Sequence, residues 1–192
     1  MHHIYHTKGV ILSSRNFGEA GRYYHILTND LGLIFVSAQG VRKMESKLRY
    51  VLQDGSYINV DLIRAKDFWK VTTASKRSGL DGIVKDRNKF HMFYNIGRLL
   101  KRLLPGEEIN EELFSDFIKG LKILETSKKE EINNIEVMIV LRILYHLGYI
   151  GEDGIANNLT KSPLEKDLVF EVSKKRANIL REINKALRET QL

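Results

Sequence analysis

The sequence predicts an α+β protein, a five-stranded N-terminal barrel followed by an all-helical C-terminal domain, and three observations carry the prediction. Residues 1–79 alternate polar and apolar side chains in short runs, whereas the remainder repeats its apolar side chains every three or four positions. The length of 192 residues suits one large domain or two small ones. Between the two periodicities lies Lys76–Gly82, rich in charge, Ser and Gly with little to bury. The expected domains are therefore residues 1–79 and 80–192.

The first half supplies the strands in order. Thr7–Ser13 is β-rich, and Arg22–Thr28 alternates Tyr23, His25 and Leu27 against Tyr24, Ile26 and Thr28. Asn29-Asp30-Leu31-Gly32 has hairpin composition and leads into Leu33–Ala38. Gln39-Gly40-Val41-Arg42-Lys43 breaks the pattern, and Met44–Leu52 has room for a helical turn. Tyr57–Ile63 and Phe68–Thr73 complete the set, joined through Arg64-Ala65-Lys66-Asp67. Five short strands with one interruption fit a closed barrel, which leaves no bare edge. An SH3-like barrel fits the count almost as well.

The second half supplies helices. Phe90, Phe93, Ile96, Leu100 and Leu103 or Leu104 form a stripe that buries one helix face, and Pro105-Gly106 ends it. Asn110 is placed to cap a second helix carrying Phe114, Phe117, Ile118, Leu121 and Leu124. Ile135–Leu147 is apolar almost all round, although it contains Arg142, which places it at the centre of its domain. Gly148 stops it, since glycine takes the left-handed cap conformation freely. Ser162-Pro163-Leu164-Glu165 reads as the start of a last helix.

Composition excludes several chemistries. With no cysteine, the chain holds no disulfide, thiol nucleophile, Cys-ligated zinc or iron–sulfur cluster. Met1-His2-His3-Ile4-Tyr5 lacks the features of a signal peptide and no apolar run is long enough to span a membrane, so a cytoplasmic location is expected. Gly32, Gly40 and Gly55 do not form a phosphate-wrapping run, and Ser13-Ser14 lacks a nucleophile-elbow context. His2, His3 and His6 read as a chain terminus, and His25, His91 and His146 as packing or surface residues. No enzyme activity and no cofactor are expected.

Charge points to a partner. The net charge is +7, and residues 1–79 hold 12 basic against 6 acidic side chains while residues 80–192 hold 19 against 18. A basic first half suits a polyanion, although a basic surface also serves solubility. The candidate nucleic-acid-binding residues are Arg15, Arg22, Arg42, Lys43, Lys47 and Arg49, beside turns or in the break after the third strand. Tyr23, Tyr24, Phe35, Tyr50 and Tyr57 could stack on bases, but barrel core is the expected place for each. Lys174-Lys175-Arg176 reads as a solvated helix surface.

Thr7-Lys8-Gly9-Val10-Ile11-Leu12, Phe17-Gly18-Glu19-Ala20-Gly21-Arg22, Leu27-Thr28, Gly32 and Gly40-Val41-Arg42-Lys43 with Ser46 resemble the N-terminal domain of the bacterial recombination mediator family RecO. Leu99–Pro105 and Leu141–Tyr149 resemble that family's leucine-rich helix and its helix ending in Leu-Gly-Tyr. The resemblance implies a five-stranded OB-fold barrel and then a helical domain. It implies a non-enzymatic DNA repair and recombination factor that binds single- and double-stranded DNA, anneals strands and helps load recombinase. Its implied partners are RecR and the acidic tail of single-strand-binding protein. An apolar stripe rimmed by Arg98, Lys101 and Arg102 is the expected place for that tail, with Lys174-Lys175-Arg176 facing it. Three departures stand out. The family's four-cysteine zinc module has no counterpart in Gly151–Asn158, its aspartate is Gly21, and its loop lysine is Gln39. A protein-interaction adaptor and an RNA-binding barrel are the alternative readings.

Overall fold

A computed structural model, describing residues 3–66, 68–151 and 157–189, closes five strands into a barrel and packs helices against one side of it. The strands are β1 (Ile4–Phe17), β2 (Gly21–Thr28), β3 (Leu33–Ala38), β4 (Tyr57–Arg64) and β5 (Trp69–Lys76), with the turn α1 (Leu48–Val51) between β3 and β4. Their order around the barrel is β1-β2-β3-β5-β4, closed by β4 on β1. That is the OB-fold arrangement. β1 is much longer than Thr7–Ser13 because it serves two partners. Its first part pairs with β4 and its second with β2, and a bulge between Ile11 and Ser13 turns it between them. The parallel seam between β3 and β5 joins only Val36 to Trp69 and Ser37 to Lys70.

Strand alternation sorts the barrel's side chains. Ile11, Tyr24, Ile26, Ile34, Val36, Ile58, Val60 and Leu62 fill the interior, with Leu52 beside them. Val10, Leu12, Leu27, Leu33 and Tyr57 point outward and join the core of the helical half. Each such side chain stabilises by about 1.5–3 kcal/mol when fully buried, so the outer barrel face is a substantial adhesive surface.

The helices are α2 (Asp81–Lys85), α3 (Arg87–Leu103), α4 (Glu111–Thr126), α5 (Ile132–His146), α6 (Asn157–Lys161) and α7 (Lys166–Glu189). Asp86 caps α3 through the Asn88 and Lys89 amides, and Asn110 caps α4 through Leu113 as its sequence position suggests. α5 lies centrally, buried on most sides and packed by α3, α4 and α7. Gly148, at φ +76°, ends it, while the Tyr149 amide returns to the Leu144 carbonyl.

The last helix begins later than expected. Ser162 does not cap it; its hydroxyl donates back to the Asn158 carbonyl and α7 opens at Lys166. His2, Asp67 and residues 152–156, which make up most of the stretch replacing the zinc module, lie outside the described residues. Among the described residues no helix is long and apolar enough to cross a membrane.

Candidate nucleic-acid interface

Two features lie on β1–β3 and the segment that follows β3. The first is a cleft of about 400 Å³ lined by Arg22, Val41, Arg42, Arg49 and Gln53. Backbone ties explain how residues distant in sequence meet there. Gly40, at φ +66°, turns the chain after β3, and the Arg42 amide then donates to the Ala20 carbonyl in the β1–β2 turn. The Arg42 guanidinium approaches the Gly18 carbonyl at 3.4 Å, and Arg22 Nε donates to Asn16 Oδ1 at 2.9 Å. Arg49 comes from α1, which folds back after the break. Among the described residues none of the three guanidiniums pairs with a carboxylate. Three unneutralised arginines around one cleft suit phosphate, whose oxygens accept their forked N–H groups.

The second feature is a row of aromatic rings. The Phe17 and Tyr23 rings stack at 4.1 Å between centroids and 20°, and Tyr23 and Phe35 at 4.9 Å and 28°. The Arg15 guanidinium carbon sits 5.4 Å from the Tyr23 ring centre and 5.5 Å from that of Phe35. Strand register builds this row: Arg15 pairs with Tyr23 and His25 with Phe35, so alternate residues of three strands point outward together. Tyr23 and Phe35 are therefore half-buried surface residues, correcting the expectation of core. Tyr24 lies in the barrel core as expected, whereas Tyr57 is buried on the barrel's outer side in the core of the helical half and Tyr50 is exposed. The sequence alone did not single out Phe17, although its place two residues after Arg15 and four after Ser13 on one strand carried the signal.

Lys101 of α3 closes the far side of this face. Its Nζ donates to Ser13 Oγ at 2.9 Å, and Ser13 lies 3.4 Å from His25 Nδ1. Burial, then the charges of Lys101 and Arg15, hold the His25 imidazole below its usual range. It is accordingly neutral near pH 7.

The remaining candidates are dispersed. Lys43 and Lys47 are exposed on the segment that carries Arg42 and Arg49 but do not line the cleft. Arg98 and Arg102 are exposed on α3, while Lys101 turns to the barrel. Lys174 pairs with Glu171 and lies 4.3 Å from the Phe170 ring centre. Among the described residues no group of three His, Cys, Asp or Glu side chains is placed to hold a metal.

An OB-fold barrel with an arginine cleft and an outward aromatic row, joined to a helical region, defines a class of candidate nucleic-acid-binding proteins. Residues 1–77 match the family model described as recombination protein O N terminal. The chain is 28% identical over 149 residues to DNA repair protein RecO of Heliobacterium modesticaldum, covering 78% of this chain and 53% of that protein. It is 30% identical over 130 residues to DNA repair protein RecO of Dehalococcoides mccartyi strain 195, covering 68% and 51%. For that of Caldicellulosiruptor bescii the identity is 24% over 143 residues, covering 74% and 58%. These similarities support a RecO family assignment. The chain spans about half the length of the curated relatives it matches.

Proposed function

We propose that this chain is a non-enzymatic DNA-binding recombination mediator of the RecO type, acting in DNA repair in the cytoplasm. The observation that carries the reading is the cleft of Arg22, Arg42 and Arg49 on an OB-fold barrel. Residues 1–79 serve as the DNA-binding domain and residues 80–192 as the helical domain. Arg15, Lys43 and Lys47 extend the phosphate-tracking surface around the cleft. The chain binds single- and double-stranded DNA, anneals complementary strands, and helps load recombinase onto strands coated by single-strand-binding protein. RecR and the acidic tail of that protein are its partners, the tail meeting α3 at Arg98, Lys101 and Arg102.

The test is DNA binding as a function of salt. Replacing Arg42, Lys43, Lys47 and Arg49 by alanine should weaken binding to all sequences alike. Each lost phosphate contact should lower the salt slope by about 0.7 on single strands or about 0.9 on duplex. A folded variant with an unchanged slope overturns the assignment of the patch. Annealing of complementary strands, with and without the chain, tests the mediator role.

A further inference from the structure

We infer that an unpaired DNA strand crosses the outer face of β1–β3, one base stacking on Phe17 and the backbone running from the arginine cleft past Arg15 to Lys101 of the helical half. The inference rests on the DNA-binding reading above and adds two things to it. It gives the site a preference for unpaired strands, and it brings Lys101 into the DNA path.

Among the described residues, one end of the aromatic row carries no further ring. Tyr23 is held between Phe17 and Phe35, and Phe35 is flanked on its far side by His25 at 5.2 Å. Among the described residues Phe17 has a ring partner on one side only. A base can lengthen the stack there, because every base offers a π-face, whereas a base in duplex has already spent both faces on its neighbours. Phe17 reaches this position because residue 21 is glycine. A Cβ at Gly21 would fall 2.5 Å from Phe17 Cε1 and Cζ, inside contact distance. Glycine at residue 21 therefore lets the ring lie across β2 and join Tyr23.

Cations stand at both ends of the row. Next to Phe17, the Arg42 guanidinium reaches the Gly18 carbonyl, so the arginine cleft adjoins that ring. In the other direction Arg15 and Ser13 follow Phe17 at alternate positions of β1, about 7 Å apart per step. There Lys101 donates to the neutral Ser13 hydroxyl, and among the described residues neither Arg15 nor Lys101 pairs with a carboxylate. Burial first, and then these two charges, hold the His25 imidazole below its ordinary range. An aromatic row between two uncompensated cationic ends matches a single strand, which alternates stacked bases with phosphates.

The experiment measures binding of the full chain to labelled single-stranded DNA, duplex DNA and single-stranded RNA of equal length across a salt series. Gly21→Ala should push the distal Phe17 ring off Tyr23 with little cost to the fold, since the clash lies at the end of a movable side chain. Both Gly21→Ala and Phe17→Leu should weaken single-strand binding about 5- to 100-fold, the range of one lost base stack, and change duplex binding less than about 2-fold. Lys101→Met should reduce the single-strand salt slope by about 0.7, while Arg102→Met, one residue along α3, should not. Unchanged single-strand affinity in Gly21→Ala and Phe17→Leu, with wild type still binding DNA, overturns the stacking site and spares the arginine cleft. Tighter binding of wild type to RNA than to DNA overturns the stated occupant. Absence of DNA binding by wild type overturns the underlying reading as well.

Discussion

Arg142 Nη1 lies 3.2 Å from Asp116 Oδ2, and both side chains are buried in the helical half. The same carboxylate oxygen accepts from His146 Nε2 at 2.9 Å, and Arg142 also donates to the Thr160 and Ser162 carbonyls. One guanidinium thus ties α4 and α5 to Thr160 in α6 and to Ser162 just after it. Removing one partner of a buried pair leaves the other charge uncompensated, at a cost of about 3–5 kcal/mol. Asp116→Ala should lower stability by that order in denaturant unfolding. Replacing Lys119, whose contact with Asp116 spans 3.7 Å from an exposed position, should change it by less than about 1 kcal/mol.

The same pair predicts an acid-sensitive component of stability. Burial raises the Asp116 carboxyl, but the His146 hydrogen bond and the charges of Arg142, His146 and Lys119 outweigh it, leaving the group below its ordinary 3.8. A depressed carboxyl contributes stability above its unfolded-state pKa and loses it as pH falls through the folded value. The stability difference between wild type and Asp116→Asn should therefore hold above about pH 4 and shrink below it. Unfolding curves between pH 2 and 6 measure this, and a difference that grows on acidification contradicts the arrangement.

Gly32 predicts how the barrel is strapped to the helices. It sits at φ +67°, and a Cβ there would lie 2.4 Å from the Glu108 carbonyl oxygen. The adjoining Leu33 amide donates to the Gly106 carbonyl, and Trp69 Nε1 donates to Glu107 Oε1 at 3.0 Å. Residues 106–108 therefore lie directly against the barrel. Gly18 is the internal control, with φ +52° and open space around its Cβ position. Gly18→Ala should cost about 1–2 kcal/mol from backbone strain alone. Gly32→Ala should cost more, because the backbone strap must also shift, and paired melting curves will rank the two.

The fold was legible where a single periodicity controls burial. The alternation of β2 and the three–four spacing of α3 each mark one buried face, and Asn110 and Gly148 act locally as caps. Strand order was not legible, because the β3–β5 seam joins residues more than thirty positions apart through only two pairs. Tyr23 and Phe35 show the same limit at the candidate site. Their aromatic character is common to core and surface, and only the register against Arg15 and His25 settles which way they face. The basic residues were legible by type, yet their convergence was not. Arg22 meets Arg42 where the Ala20 carbonyl holds the Arg42 amide, and Arg49 joins them from α1. Ser162 misled because its neighbours make a strong local start signal, while Arg142 draws its carbonyl into a tertiary contact instead.

Tyr24 carries the last prediction. Its ring fills the barrel interior with no exposed surface, and its hydroxyl is buried without a hydrogen-bond partner. Burial pushes the phenol up to about 12, against the opposing pull of Arg22. Geometry gives this hydroxyl no hydrogen bond, and the nearby Arg22 charge offsets only part of its lost hydration, so deleting it should cost little. Tyr24→Phe should leave stability at pH 7 unchanged or raise it by up to about 1 kcal/mol, whereas a satisfied hydroxyl would make the same substitution costly. The alkaline range gives an independent check. Because the folded value lies above the unfolded one, the contribution is complete below about pH 10. As pH climbs from there toward 12, the unfolded chain ionises first and wild-type stability falls. Tyr24→Phe removes that decline, so the two proteins should diverge in unfolding midpoint only above about pH 10. Parallel melting curves for the two proteins from pH 8 to 11 would place the hydroxyl in a hydrated or hydrogen-bonded setting and refute its burial.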